Sequence, residues 1–396
     1  MKPTESFSSM TNKLWKIPLF DLNYDASEKE AVLDVLNSKW LTSGQKNKEF
    51  ENKFSEYLGG NILSSTVSSG TSALYIALLA CRVGPGDEVI ISGLSFVAAL
   101  NVVVLTGATP ILADAKSIED WNVSPDEIAS KITARSKAII IVHFAGYPCD
   151  MEEIATIAKT NDLILIEDAA HAVGAEYKGR KCGTLCDIGC FSFFSNKNLS
   201  VGEGGMFVTR DKALNQKARL IRSHGMTAVT IDRHQGKAVT YDVTCPGLNF
   251  RMDEIRAAIG IVQLKKLDTN NMRRKNIVQL YIERLGHIDG ISIPWRTVNP
   301  DRKSSYHIFP ILLAENTDRQ SFIAFLKQKG IQTSIHYPDC TQFSFYKRIL
   351  KNDLKVAREI SSRAVTLPLF PGMDEEDVML VANSLTEYHT KALKKI

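Results

Sequence analysis

A run of strand character, Cys190 to Phe194, delivers one lysine, Lys197, into a polar stretch that ends in Gly202-Glu203-Gly204-Gly205. A lysine on a short turn after a buried strand, with glycines that let backbone come close, suits an amine that must meet a carbonyl in a tight pocket. Upstream, Leu163 to Ile166 has the pattern of a second buried strand; it ends in Glu167-Asp168, followed by small residues and His171. A carboxylate at the C-terminal end of a strand in an α/β sheet sits where ligands bind in such folds. Taken alone, Lys197 reads as a solvated surface lysine, because lysine is rarely buried. Its pairing with Asp168 changes that reading. An amine that condenses with an aldehyde and a carboxylate for a pyridinium nitrogen are the two groups that pyridoxal phosphate requires.

Other residues could complete such a site. Ser68-Ser69-Gly70-Thr71-Ser72-Ala73-Leu74 is a glycine turn leading into an apolar helix. Free N–H groups at that helix start, with the hydroxyls of Thr71 and Ser72, make an anion cradle; the plain alternative is an ordinary N-cap. The segment is neither a Walker loop nor GxGxxG, so nucleoside triphosphate and nicotinamide dinucleotide readings find no anchor. Phe96 follows the strand Val89 to Ile91 and could cover a flat ring or fill the core. His171, one turn past Asp168, could reach a ring hydroxyl. His224 and the pair His336-Tyr337 are candidate substrate-side groups. Cys182, Cys186 and Cys190 fall four apart without any CxxC pair, so a metal site is not expected and reduced thiols are.

The elements that must position these residues alternate from about residue 60 to 220. Val89 to Ile91, Pro110 to Leu112, Ala138 to Val142 and Leu163 to Ile166 read as strands, with helical segments between them. Ser124-Pro125-Asp126-Glu127 and Asp150-Met151-Glu152-Glu153 read as capping boxes that open helices. This rhythm predicts a largely parallel sheet covered by helices on both faces. After Lys197, Met206 to Thr209 reads as a strand running back along the sheet, and Lys212 to Arg222 as a helix. The stretch 226–247 is polar and irregular, and Glu254 to Leu267 is an amphipathic helix. From about residue 275, strand and helix signals (Ile308 to Leu313, then Arg319 to Lys329) predict a second, smaller α+β unit. The expected division is 1–270 for the large domain and 271–396 for the small one.

With 44% hydrophobic and 23% charged residues, the 396-residue chain has the composition of an ordinary globular protein. A net charge of +4 is modest, and the terminal Lys391, Lys394 and Lys395 face no aromatic or glycine-rich partner motif, so no nucleic-acid partner is expected. The polar start, MKPTESFSSMTNKLWK, lacks the apolar core of a signal peptide, and no stretch has the apolar length of a membrane span. A cytoplasmic location is the expectation.

In order along the chain, these segments resemble the DegT/StrS-type sugar aminotransferases, a branch of the fold-type I pyridoxal phosphate enzymes. The resemblance covers nearly the whole chain: Trp40-Leu41-Thr42-Ser43-Gly44, Ser69-Gly70-Thr71-Ser72-Ala73-Leu74, Gly84-Pro85-Gly86-Asp87, Glu167-Asp168-Ala169-Ala170-His171, Phe191-Ser192-Phe193 before Lys197, Gly202-Glu203-Gly204-Gly205, Asn249-Phe250-Arg251-Met252 and His336-Tyr337-Pro338. It implies an α/β fold, with a large domain built on a mostly parallel mixed sheet flanked by helices, plus a smaller C-terminal α+β domain. It also implies roles. Lys197 would carry the pyridoxal 5'-phosphate and move the proton. Asp168 would keep the ring nitrogen protonated, His171 would approach the ring oxygen, and Phe96 would stack on the ring. Gly70, Thr71 and Ser192, with Ser72 beside them, would bind the phosphate, and Asn249 would reach it from the neighbouring subunit of a homodimer with shared active sites.

The activity so implied is amino transfer from an amino acid, L-glutamate in the first instance, to a nucleotide-linked keto-sugar. Amination of a keto-cyclitol or another small carbonyl on the same scaffold, or a non-catalytic regulatory role, are the alternatives. One branch of the family carries histidine in place of the lysine and dehydrates its sugar; Lys197 favours amino transfer. Asp339-Cys340-Thr341-Gln342 stands where many relatives place another histidine, and Asp21-Leu22-Asn23-Tyr24-Asp25 lacks the usual glycine. Both segments fall where substrate contacts are expected, which leaves the acceptor open.

Overall fold

The computed structural model describes residues 14–393 except 229, 230, 232, 233, 235, 237, 298, 351 and 352. The main sheet is built from β1 (Leu63–Val67), β2 (Glu88–Ser92), β3 (Thr109–Ala113), β4 (Ser136–Val142) and β5 (Ile164–Asp168). After the short β6 (Glu176–Tyr177) and β7 (Arg180–Lys181), β8 (Ile188–Ser192) and β9 (Gly205–Thr209) complete it. The seven strands lie in the order β1-β9-β8-β5-β4-β2-β3. All neighbours are parallel except that β9 runs antiparallel to both β8 and β1.

A parallel sheet needs crossovers that cover both of its faces, so its strands must be apolar throughout. Ala138–Val142 meets that demand, being buried at every position. The pleat then sends alternate residues to opposite sides. Ala138 and Ile140 pack in one core with α3 (Gly70–Ala80) and α4 (Ala98–Thr106), while Ile139 and Ile141 pack in another with α5 (Pro125–Ser130) and α6 (Met151–Thr160). Near β8 and β9 a third core forms from Phe191, Phe193, Met206 and Val208 against Phe50 and Phe54 of α2 (Gln45–Leu58), which follows α1 (Ala26–Ser38).

Past α7 (Lys212–Ile221), α8 is far longer than its amphipathic start suggested, running from Glu254 to Leu285. The sequence shows one apolar face as far as Leu267 because the helix then changes partner. Leu267 belongs to the core under the main sheet, whereas Ile277, Val278, Tyr281 and Leu285 belong to a separate core. That second core covers the antiparallel sheet β10 (Ile291–Ser292), β12 (Phe309–Leu313) and β13 (Ala364–Leu367), with α9 (Arg319–Gln328) and α11 (Glu375–Leu393) against it. The helix passes unbroken through residues 270 and 271. Strand β11 (Arg302–Lys303) joins the β6–β7 hairpin, and α10 (Lys355–Arg363) precedes β13. No helix among the described residues is long and apolar enough to cross a membrane.

Two local expectations change. Ser124 does cap α5, accepting from the Glu127 N–H at 3.3 Å, but the Glu127 carboxylate turns to the Asp114 N–H, so the box is half closed. Asp150 makes no side-chain cap on α6. Its carboxylate pairs with Lys116 and Arg302 instead, two charges that outbid a single backbone N–H. Part of the 226–247 stretch lies outside the described residues; within it Met226 bridges Val243.

Candidate active site

Strand direction gathers the chemistry. Because β1, β2, β5 and β8 all point the same way, their C-terminal ends bring Ser68-Ser69, Ser95-Phe96, Asp168 and Ser192 to one rim of the sheet. Antiparallel β9 adds its own first residue, Gly205, paired to Ser192. A Cβ on Gly70 would stand 2.8 Å from the Ser192 Cβ, and one on Gly205 would stand 2.5 Å from the Ser69 backbone. Both positions must therefore be glycine for the start of α3 to close onto the β8–β9 pair. The hydroxyl of Ser72 is turned inward at this point. It accepts from the Ser69 N–H at 2.9 Å while Ser69 Oγ accepts from the Ser72 N–H at 3.1 Å, so Ser72 closes the helix cap. Thr71 stays exposed, and Ser192 is half-buried beside it.

Lys197 sits on the hairpin 193–204, which is tied by the Phe193 N–H to Gly204 O at 2.8 Å and the Lys197 N–H to Phe194 O at 2.9 Å. Burial lowers its amine pKa to about 8, against the opposing pull of the Asp168 charge. Asp168 is buried at the end of β5 and accepts one hydrogen bond, from the Ala170 N–H at 3.1 Å. Burial raises its pKa more than Ala170, Lys197 and His143 lower it. A carboxylate so placed lacks one close cationic donor.

His171 Nε2 lies 2.9 Å from the Tyr337 hydroxyl, while its Nδ1 is buried with no partner. Burial first, then Lys197 and His336, hold His171 well below its usual pKa, so the ring is neutral. Burial raises the Tyr337 pKa, so its phenol keeps its proton for the imidazole. His336 packs beside Tyr337 and bonds Thr366 Oγ1 at 2.9 Å, with its pKa lowered to about 4 by burial and by Lys197. Phe96 is 56% exposed with its ring centroid 5.6 Å from that of Tyr337, leaving a face open at the rim.

His224 and Asn249 do not join this group. Both are exposed, on segments that pair with each other through the Ser223–Asn249 bridge and the His224 N–H to Leu248 O bond. The sequence reading also missed His307. Its Nε2 lies 3.4 Å from the Lys197 amine, and its Nδ1 lies 3.0 Å from Asn198 Oδ1. The Asn198 amide donates to Asn271 Oδ1 and to Ser305 O, each at 2.7 Å, which fixes its oxygen toward the imidazole. His307 must then donate from Nδ1 and offer the Nε2 lone pair to the lysine. Burial and the charge of Lys197 push its pKa well below normal, so it acts as a neutral acceptor.

Among the described residues, His143, Glu167 and Cys182 come within 4.8 Å of one another with metal-ligand atoms. His143 Nδ1 accepts from the Cys149 N–H at 3.1 Å, so Nε2 donates to Glu167 at 2.9 Å; Glu167 also accepts from Leu185 N at 2.7 Å. Those bonds occupy His143 and Glu167 in holding the turn after β7.

The orphaned His171 Nδ1, the unpartnered buried Ser95 hydroxyl and the glycine-lined helix start fit a flat, anionic, nitrogen-bearing group. A GDP-perosamine synthase from Escherichia coli O157:H7 is 36% identical, covering 94% of this chain and 99% of the relative. The aminotransferase TlmJ from Streptoalloteichus hindustanus superposes with a TM-score of 0.87 at 31% identity, over 96% of this chain and 100% of that one. Helicobacter pylori PseC, an aminotransferase involved in pseudoaminic acid biosynthesis, gives 0.88 at 30% identity, over 95% and 99%. The sequence profile of the DegT/DnrJ/EryC1/StrS aminotransferases matches residues 23–386, and the chain belongs to that family.

Proposed function

We propose that this transaminase uses pyridoxal 5'-phosphate to move an amino group from L-glutamate to the carbonyl of a nucleotide-linked keto-sugar. The observation that carries the reading is the Lys197–Asp168 pair: an amine lowered to about pKa 8 and an under-partnered buried carboxylate at the same sheet rim. Bound between them, pyridoxal phosphate supplies an electron sink for the carbon that gains or loses a proton. A Streptococcus pneumoniae protein of 26–27% identity, solved in PLP- and PMP-forms, supports that choice of cofactor.

The chain's own groups divide the remaining work. Asp168 holds the ring nitrogen protonated through a charge-assisted hydrogen bond. The N-terminus of α3 and the Thr71 and Ser192 hydroxyls hold the phosphate, where N–H groups and the helix dipole favour negative charge. His171 offers Nδ1 toward the ring oxygen, with Tyr337 setting its tautomer. Lys197 holds and returns the proton at Nζ, helped by a pKa close to neutrality. Phe96 and Tyr337 shield the rim from water.

Asn249 belongs to the site of a second copy in this reading. Its exposure, next to exposed Leu248, Val243 and Tyr241, supports a homodimer whose surface covers that segment. The sugar acceptor is supported by the perosamine and pseudoaminic acid relatives. The purified protein should show a visible absorption band that glutamate bleaches. Lys197→Ala is expected to lose that band and about 10²–10⁴-fold or more in turnover; a variant that keeps both would end the assignment.

A further inference from the structure

Among the described residues, the Lys197 amine has one hydrogen-bond partner, His307 Nε2 at 3.4 Å. The two arrive from different units. Lys197 rides on the hairpin of the main sheet, whereas His307 lies two residues before β12 of the smaller one. The histidine's main chain is pinned on both sides, its N–H donating to Ala145 O at 2.9 Å and its carbonyl accepting from Arg274 Nη1 at 3.1 Å. The ring is pinned as well. The Asn198 amide nitrogen is committed to Asn271 Oδ1 and Ser305 O, so the amide cannot turn over and its oxygen stays on His307 Nδ1. Asn271, on α8, is held in turn by its own donation to Val173 O at 3.0 Å. A fixed polarity therefore passes from α8 through Asn198 to the lone pair that faces Lys197.

An acceptor of this kind differs from an ion-pair partner. Lys197, His171, Arg274 and His336 all face His307, and each opposes a positive charge on it. The titratable groups around the amine are Asp168, His171, His336 and His307, of which Asp168 alone is an anion. Tyr337, against His171, keeps its proton. His307 can therefore accept an N–H of the amine without taking the proton itself. A carboxylate in its place would lock the group as ammonium. At 3.4 Å the contact is longer than a strong hydrogen bond, a light hold that the amine can leave and find again.

We propose that His307 is a positioning residue for the Lys197 amine, holding it at the sheet rim by one N–H whenever it is free, with Asn271 and Asn198 setting the imidazole to accept. The inference rests on the reading of Lys197 as the group that joins and leaves the cofactor. Lysine has among the largest rotamer freedom of any side chain, so a free amine without a holder spreads over many positions. One acceptor of fixed polarity narrows these to the few that keep Nζ where it must react. A purely structural His307 would be satisfied by Asn198 alone, and its loss would leave the titration of the amine where it was.

The test reads the amine itself. The full-length protein, cofactor-free and cofactor-loaded, is labelled with acetic anhydride over a pH series, and acetylation at Lys197 is followed by peptide mass spectrometry. His307→Leu removes an acceptor that favours the ammonium form. In the cofactor-free protein the Lys197 midpoint should therefore fall from about 8, the amine binding its proton about tenfold less tightly. His307→Asn keeps a partner for Asn198 but draws back from Lys197, so it should shift the midpoint the same way and serves if the leucine variant does not fold. His307→Gln, whose amide oxygen reaches the place of Nε2, should recover part of the loss. In the loaded enzyme the Leu and Asn variants should lose about ten- to hundredfold in kcat with a much smaller change in the glutamate KM. Circular dichroism separates loss of the hold from loss of the fold. An unmoved midpoint or an unmoved kcat in a folded Leu or Asn variant would overturn the proposal, as would a Gln variant no better than Leu. A loaded protein whose visible band ignores glutamate, yet whose Lys197 midpoint depends on His307, sinks only the functional reading.

Discussion

Lys197 shows how far a single residue's properties come from its surroundings. Its folded pKa of about 8 lies below the ordinary 10.5, so the unfolded chain holds more protons between those values. Wild-type stability therefore gains from this group as pH rises through that window and carries the full penalty below it. Lys197→Met has no such dependence. In the cofactor-free protein, the stability gap between variant and wild type should shift in favour of wild type from about pH 8 to 10.5, by up to about 3 kcal/mol. Paired thermal melts across that range check it, and a flat gap would contradict the burial argument. At this scale the sequence was legible where a residue ends a strand, as Asp168 does, or follows one, as Lys197 does. It was silent on His307, whose partners Lys197 and Asn198 lie more than 100 residues away in sequence and meet it only through tertiary packing.

Elements were legible by period and punctuation, and less so by their ends. The buried runs Ala138 to Val142 and Leu163 to Ile166 became central strands because continuous apolar character has few other uses at that length. The cap of α2 is a counter-example, since Gly44 at its N-cap offers no side chain. Glu254, from the first turn of α8, supplies the acceptor instead, taking the N–H groups of Gly44 at 2.8 Å, Lys46 at 2.7 Å and Asn47 at 2.9 Å. A cap borrowed across 207–210 residues leaves no local signature. Glu254→Ala should destabilise the protein by about 2–3 kcal/mol, the loss of a cap plus stranded donors. Urea or thermal unfolding measures this directly, and Glu254→Gln, which keeps one acceptor oxygen, should lose less.

For the whole molecule, the sequence correctly led to a mostly parallel sheet with a smaller α+β unit behind it. The continuity of α8 between the two cores was hidden, because each half of the helix is amphipathic toward a different partner. The exposed Asn249 makes a prediction at this scale. Mixing Lys197→Ala with Asn249→Ala subunits should rebuild one native site in each mixed dimer if two copies share their sites. Random exchange at equal amounts gives about a quarter of wild-type activity, well above either parent alone; no recovery in verified mixed dimers would argue for self-sufficient subunits.

One reversal in the sheet shapes what such a chain can become. Since β9 turns straight back beside β8, the Lys197 amine rides on a short tongue of backbone whose two roots, Ser192 and Gly205, lie opposite each other in the antiparallel pair. Replacements within the tongue change what reaches the rim and leave every crossover and the strand order untouched. A descendant could therefore exchange one chemistry for another at position 197 without having to reinvent its scaffold.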